Sequence, residues 1–294
     1  MEATVLAKGV VVFTGAVNLG AVVADKEVIF LDAGLDDGAA RKLWRWAEEQ
    51  GLQPRAAILT HAHADHFGGA HLWVNRGLAL YASRLEGMMM EHPICEPLFL
   101  FSGASPLPDL LSKFTFAKPC KLAGALGPGP FELGSVVLEI IELSGHTPAQ
   151  IGVRLGNVLF CADALFPPEI LAKHPIPFCH DLDQAILSLR VVEETEVVVP
   201  GHGPLLTGAT LRAACAAFRG QLERIREAAF QALTTPRTTE EVLSAVAEKV
   251  GERLTSLTAV LLAQTTVLAA LASLVRAGLA APVVEGNRLL WQRV

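Results

Sequence analysis

Paired cysteines are missing from this chain. Its five cysteines, Cys95, Cys120, Cys161, Cys179 and Cys215, are scattered, odd in number and never spaced as Cys-x-x-Cys. That excludes a disulfide framework and a cysteine-based zinc site, and leaves reduced, mostly buried thiols as the expectation. Charge is sparse as well: 18% of the 294 residues are charged against 51% hydrophobic, and the formal net charge is −6. This balance excludes a disordered chain and a basic surface spread over the whole molecule, although a local basic patch stays open. Met1-Glu2-Ala3-Thr4 lacks the basic and apolar regions of a secretory signal, so a cytoplasmic location is expected. Internal repeats and low-complexity linkers are absent too, and the length suits one large domain with a small one.

One long uncharged run remains, from Leu254 to Val275, and its length would cross a bilayer. Thr255, Ser256, Thr258, Gln264, Thr265, Thr266 and Ser273 recur through it. A buried or dimer-forming helix is therefore expected in place of a membrane span.

Short β-branched apolar runs open the chain: Val10–Phe13, Ala21–Ala24 and Val28–Leu31, separated by Gly, Asn or a polar turn. They read as strands. A helix is expected from about Ala39 to Gln50, stopped by Gly51, and then a buried strand at Ala56–Leu59. After Leu78–Tyr81 the pattern turns irregular between Leu85 and Lys121, with Met88-Met89-Met90, several prolines and Phe99, Phe101, Phe114 and Phe116. This segment is either an inserted helical lid or plain core. A second strand series follows at Val136–Ile141, Ile151–Leu155, Val158–Cys161 and Val197–Val199, with a hairpin across Gly156-Asn157. Two strand-rich halves with helices between and after them predict an α/β protein of four layers, sheets inside and helices outside. Beyond Gly208 the reading is a helix to about Leu233, a second opened by Thr238 with Glu241 three residues on, a third from Leu257 to Ala277, and a hairpin turning at Glu285-Gly286-Asn287. Helix, helix, helix, hairpin is the order of a winged helix. We accordingly divide the chain into residues 1–216 and a small winged-helix-like domain, 217–294.

Directly after the Ala56–Leu59 strand comes Thr60-His61-Ala62-His63-Ala64-Asp65-His66-Phe67-Gly68-Gly69. In extended chain His61, His63 and Asp65 point to one side, while His66 faces elsewhere and suits a second metal. Gly68 and Gly69 permit close packing where the next helix begins. Three further candidates each follow an apolar strand: His146 in Gly-His-Thr-Pro, Asp163 in Cys-Ala-Asp-Ala, and His202 in Pro-Gly-His-Gly-Pro. Imidazole and carboxylate are the ligands of zinc or another borderline first-row metal. Asp65 could instead cap a helix. His71, His92, His174 and His180 read as ordinary packed or surface histidines, with His180-Asp181 also considered as support for the ligands.

The His-x-His-x-Asp-His signature, followed in order by these three motifs, resembles the metallo-β-lactamase superfamily over roughly residues 10–208. The resemblance implies that family's αββα sandwich and a site for two divalent cations, zinc first, with iron or manganese as alternatives. It assigns His61, His63 and His146 to one ion, Asp65, His66 and His202 to the other, and Asp163 to the bridge between them. Asp32, in Leu31-Asp32-Ala33-Gly34, resembles the family's buried carboxylate that braces the signature loop. Two such cations share a water, lower its pKa to about 7 and yield a hydroxide that attacks an acyl or phosphoryl centre. Asp65 is the residue expected to orient it or handle its proton.

The leading expectation is thus a metal-dependent hydrolase of a small acyl or thioester-type substrate. A nuclease or phosphodiesterase acting on RNA is the first alternative, because the tail also resembles the C-terminal domain of a branch in which some members cut RNA. Residues 213–294 carry nine Arg/Lys against seven Asp/Glu, far from the basic face that phosphate neutralisation favours. A structural or homodimer-forming role for the tail is preferred. An iron oxidoreductase of the same fold is the second alternative; its diiron branch usually carries Glu where this chain has His63. A binding protein with an inert site is argued against by the complete ligand set.

Overall fold

A computed structural model describes residues 2–294. Its first sheet runs in chain order through β1 (Glu2–Ala7), β2 (Val10–Thr14), β3 (Leu19–Ala24), β4 (Glu27–Leu31), β5 (Gln53–Ile58), β6 (Ala79–Ser83) and β7 (Gly124–Leu126). Pairing is antiparallel from β1 to β4 and parallel from β4 to β7. The second sheet contains β8 (Gly129–Leu133), β9 (Val136–Glu142), β10 (Ile151–Leu155), β11 (Val158–Ala162), β12 (Val197–Pro200) and β13 (Leu206–Thr207), again in chain order across the sheet. Here β11 and β12 are parallel and the other pairs antiparallel.

The helices are α1 (Asp37–Glu49), α2 (Ala64–Phe67), α3 (Ala70–Val74), α4 (Arg84–Glu91), α5 (Cys95–Leu100), α6 (Pro168–Leu171), α7 (Leu182–Glu193), α8 (Gly208–Ala232), α9 (Thr239–Val250) and α10 (Leu257–Arg276). Their places follow from the alternation of strand side chains. On β4, Val28 and Phe30 face a cluster with Ala40, Leu43 and Ala47 of α1 and Trp73 of α3. Ile29 and Leu31 face the opposite way, into a core shared with Leu138, Ile140, Val153, Val158 and Phe160 of the second sheet. On β11, Leu159 and Cys161 turn outward to meet Leu182, Leu189 and the C-terminal helices. Strands buried on both faces read as unbroken apolar runs, as Val28–Leu31 and Val158–Cys161 do. The result is the expected four layers, helix, sheet, sheet, helix.

Several sequence expectations need adjustment. Four strands were not anticipated: β1, whose residues are mostly exposed, the short β7 and β13, and β8, which opens on Gly129-Pro130. The helix expected from Ala39 starts at Asp37, because Asp36 caps it by accepting from the N–H groups of Gly38 and Ala39. The irregular segment forms α4, α5 and a 3-10 turn at Pro108–Leu110. Its side chains divide: Met90, Leu110 and Cys120 are buried, whereas Phe99 and Phe114 are 65% and 60% exposed.

Beyond β13 the expected order appears as α8, α9, α10 and the hairpin of β14 (Ala280–Glu285) and β15 (Arg288–Arg293). Gly286 and Asn287 turn it with φ of +54° and +61°, the positive values that a two-residue hairpin needs. Thr238 and Glu241 form the reciprocal cap at the start of α9. Residue 217 lies inside α8, which is unbroken from Gly208 to Ala232, and one apolar cluster extends from Ile141 through these helices to Ala280. The uncharged stretch is α10, a helix long and apolar enough to cross a membrane. Here Ala263, Val267, Ala270, Leu271 and Leu274 are buried in that cluster.

Gly68 and Gly69 do permit close approach. A methyl at Gly68 would collide with the carbonyl oxygens of Leu35 and Ala64, both fixed backbone. Gly68→Ala is expected to destabilise the fold by roughly 1–3 kcal/mol, read as a lower denaturant midpoint; an unchanged midpoint would contradict this packing.

Candidate metal centre

Five strand ends deliver the site. Asp32 follows β4, Thr60 to His66 follow β5, His146 follows β9, Asp163 follows β11 and His202 follows β12. All seven expected ligand positions come together. His63 Nδ1 and His146 Nε2 meet at 2.8 Å, and His146 Nε2 lies 3.4 Å from Asp163 Oδ2. The other carboxylate oxygen, Asp163 Oδ1, is 3.3 Å from His66 Nε2. His202 Nε2 is 3.2 Å from Asp65 Oδ2 and 3.6 Å from Asp163 Oδ2. Three sets, His61/His63/His146, His61/His66/Asp163 and Asp65/His66/His202, each gather their donor atoms within 4.8 Å of one another.

Local conformation differs from the sequence reading in one respect. The extended chain ends at His63, which precedes α2, so Asp65 lies in the first turn of that helix and is not its cap. Its carboxylate reaches His202 instead. Two non-glycine residues with left-handed backbone turn the chain at the strand ends: Asp32, φ +59°, and Ala162, φ +46°, immediately before Asp163. Such conformations persist where the surroundings hold them. The N–H of Gly201 donates to the Ala162 carbonyl at 2.7 Å. A side chain at Gly201 would run into Asp163 Oδ1 and His66, so glycine leaves the space in which these two donors meet.

Four of the five imidazoles are aimed from behind, His61 through its Nδ1 contact with the Thr60 hydroxyl at 3.0 Å. Asp32 accepts from the Thr60 N–H at 2.7 Å and the Thr60 hydroxyl at 2.9 Å, and holds His66 Nδ1 at 2.8 Å. This is the bracing role that the resemblance implied. His146 Nδ1 is held by the Phe178 carbonyl at 2.9 Å and His202 Nδ1 by the Ala16 carbonyl at 2.7 Å. An acceptor on Nδ1 keeps the proton there and leaves the Nε2 lone pair facing the centre. His61 Nε2, His66 Nε2 and Asp163 Oδ1 are buried with no hydrogen-bond partner. Buried polar atoms are rarely left so. Together with a hard-and-borderline N/O donor set, these orphaned atoms fit divalent cations.

Electrostatics divide the imidazoles: His61 and His63 are held neutral, whereas His66 and His202 are held charged and a cation would have to displace their protons. Burial, reinforced by neighbouring imidazoles, holds His61 well below the usual histidine range and pushes His63 down to about 3, so both stay neutral and able to ligate. Burial opposes charge on His202 and His66 too, but Asp163 and Asp65 prevail, raising His202 to about 10 and His66 well above its ordinary value. Against burial, the same contacts keep Asp65 down at about 2 and Asp163 well below the carboxylate range.

Of the other histidines, His92, His174 and His180 are exposed and His71 packs on the surface against Gly68 O and Asp37. Residues 180 and 181 do support the centre, although through backbone: both N–H groups donate to the Gly145 carbonyl, at 2.8 and 3.0 Å. The Asp181 side chain caps α7.

Sequence reasoning missed two contributors. Asn18 donates through its side chain to the carbonyls of Pro200 and Gly203, at 2.9 and 2.8 Å, clamping the loop of His202. The fully buried Glu86 of α4 joins two ligand loops, accepting from the Ala62 N–H at 2.9 Å, the Thr147 hydroxyl at 2.7 Å and the Ala149 N–H at 3.0 Å. Burial pushes its carboxyl up and these three donors pull it back. A signal existed: Ser83 and Glu86 have capping-box spacing, yet no side-chain cap forms and the Ser83 hydroxyl is left buried without a partner. The local preference yields to the ligand loops. Glu86→Gln would set an amide N–H₂ against one of these donors. A loss of about 1–3 kcal/mol is expected in denaturant unfolding; wild-type stability would remove Glu86 from this role.

Residues 12–202 match the sequence profile of the Metallo-beta-lactamase superfamily. The chain is 31% identical over 134 residues to a hydroxyacylglutathione hydrolase of Nitrosomonas europaea, a match spanning 45% of this chain and 40% of that enzyme's length. It is 23% identical over 194 residues to the probable metallo-hydrolase YqgX of Bacillus subtilis, spanning 62% of this chain and 82% of that one. Among solved structures, a beta-lactamase domain protein from Burkholderia ambifaria superposes with a TM-score of 0.76 at 19% identity, over all of this chain and 94% of the other. A metallo-beta-lactamase family protein from Thermus thermophilus does so with the same score and identity, over 99% and 100%. These two share the fold through the C-terminal helices as well as the sandwich. With the profile covering well over half of its length, the chain belongs to the metallo-β-lactamase superfamily, a superfamily of metallo-hydrolases.

Proposed function

We propose that this chain is a two-metal hydrolase of small acyl substrates, thioesters foremost. The observation that carries the reading is the set of buried, partnerless donor atoms, His61 Nε2, His66 Nε2 and Asp163 Oδ1, at the point where all seven side chains meet. His61, His63 and His146 would hold one ion and Asp65, His66 and His202 the other, with Asp163 shared between them. Zinc suits this N/O set best. Bound there, such cations supply a water of lowered pKa and positive charge opposite a developing oxyanion.

The chain's own residues do the rest. Asp65 Oδ2, beside His202, orients the water and takes its proton. Phe166 and Phe178 pack edge-on against the imidazoles, with Phe178 4.9 Å from His63 and Phe166 5.5 Å from His146 between ring centroids. They limit water near the donors, which strengthens every charge interaction there. The thioester preference draws on the Nitrosomonas europaea relative, named a hydroxyacylglutathione hydrolase. The near-balanced charge of residues 213–294 favours a small molecule over a nucleic acid.

The test is a substrate panel of thioesters, lactones, β-lactams and phosphodiesters, with wild type and His61→Ala. Thioester turnover is expected to be highest, to vanish on chelation, to return with zinc, and to be absent in His61→Ala while the fold remains. Activity unchanged in His61→Ala would refute the mechanism; turnover of phosphodiesters alone would refute the substrate class.

A further inference from the structure

We infer that helix α10 belongs to the metal centre's scaffold, and that Thr266 is a positioning residue for His146. The inference rests on reading His146 as a metal ligand. It begins with a feature the site has not absorbed: the polar residues recurring through the most apolar helix of the chain.

Thr266 is fully buried on α10. Its hydroxyl donates to the Pro177 carbonyl at 2.8 Å and accepts from the Cys179 N–H at 3.0 Å. A hydroxyl can do both at once, so one side chain pins the backbone on either side of Phe178. Phe178 is the residue whose carbonyl fixes His146 Nδ1 at 2.9 Å and whose ring packs edge-on against His63 and His146. The path from α10 to the ligand is therefore two hydrogen bonds long.

The held segment cannot organise itself. Pro175 and Pro177 have no N–H to donate, and its grips come from outside. Gln221 of α8 donates to the Pro175 carbonyl, and Cys179 Sγ approaches the Gly145 carbonyl at 3.3 Å. Two turns further along α10, on the same face, Ser273 donates to Asp183 at 2.7 Å, and Arg276 pairs with Asp181 and Asp183. One polar stripe, Thr266, Ser273 and Arg276, thus docks the helix on the loop behind His146 and on the start of α7. The helix so read is a wall of the site, with its Thr and Ser residues supplying contacts that an apolar helix alone would lack.

The experiment uses the full chain with Co(II) and Zn(II) as probes. Metal affinity is measured by chelator competition and the Co(II) ligand-field spectrum is recorded for wild type, Thr266→Val, Thr266→Ser and Leu271→Ala. Valine keeps the shape and deletes the hydroxyl. It is expected to weaken metal binding by about tenfold, the lower end for a group that supports a ligand from behind, and to alter the Co(II) spectrum. Serine is expected to restore both. Leu271→Ala empties a fully buried site on the same helix, and is expected to lower stability while leaving affinity and spectrum as in wild type. Equal affinity and spectrum in wild type and Thr266→Val would overturn this inference alone. Parallel losses in Thr266→Val and Leu271→Ala would overturn it in favour of general softening of the helix. Wild type that takes up neither metal would sink the proposed function and this inference with it.

Discussion

Burying polar atoms without partners is costly, and this protein does so with three donors at one point. Everything around the site serves to keep them there. Each imidazole whose Nδ1 is tied to a carboxylate or carbonyl has its remaining nitrogen turned to the centre, out of water and beside the Asp65 or Asp163 carboxylate. On the proposed reading, a pair of cations reverses the sign of that cost, and the scaffold stores it until they bind.

The architecture makes the convergence possible by ending five strands of two facing sheets along one edge. Parallel pairing of β4 with β5 and of β11 with β12 puts consecutive strand ends side by side, so that loops of a few residues reach the same space. Polar clamps then join loops that lie far apart in the chain. Asn18 spans to residues 200–203, Glu86 joins residue 62 to residues 147–149, and Asp32 joins residues 60 and 66. Loss of any one clamp leaves buried donors or acceptors unpaired, which is why single side chains matter here beyond their own contacts.

Much of this was legible before any coordinates. The ligands stand in short, ordered motifs after apolar runs, and strands buried on both faces are recognisable as such runs. The hairpins at Gly156-Asn157 and Gly286-Asn287 followed from turn chemistry, and the second C-terminal helix from its Thr238–Glu241 cap. What escaped has a common character. β1 is mostly exposed and so lacks the apolar alternation that marks a strand, β7 and β13 are short pieces at the margins of the sheets, and β8 opens on the breaker pair Gly129-Pro130. Asn18, Glu86 and Thr266 are lone polar residues whose clamping partners lie 24 to 185 positions away, Asn18 also accepting from the nearby Gly15 N–H. No local pattern encodes such a pairing, except that at Glu86 a capping box is declined in favour of the site. The extended reading of His61 to Asp65 erred where α2 begins two residues early.

The most direct measurement is a crystal structure of the zinc-loaded protein with anomalous scattering at the zinc edge. The account predicts two ions per chain, one bounded by His61, His63 and His146, the other by Asp65, His66 and His202, with Asp163 shared between them. A single ion, or ions held elsewhere with this cluster empty, would contradict it.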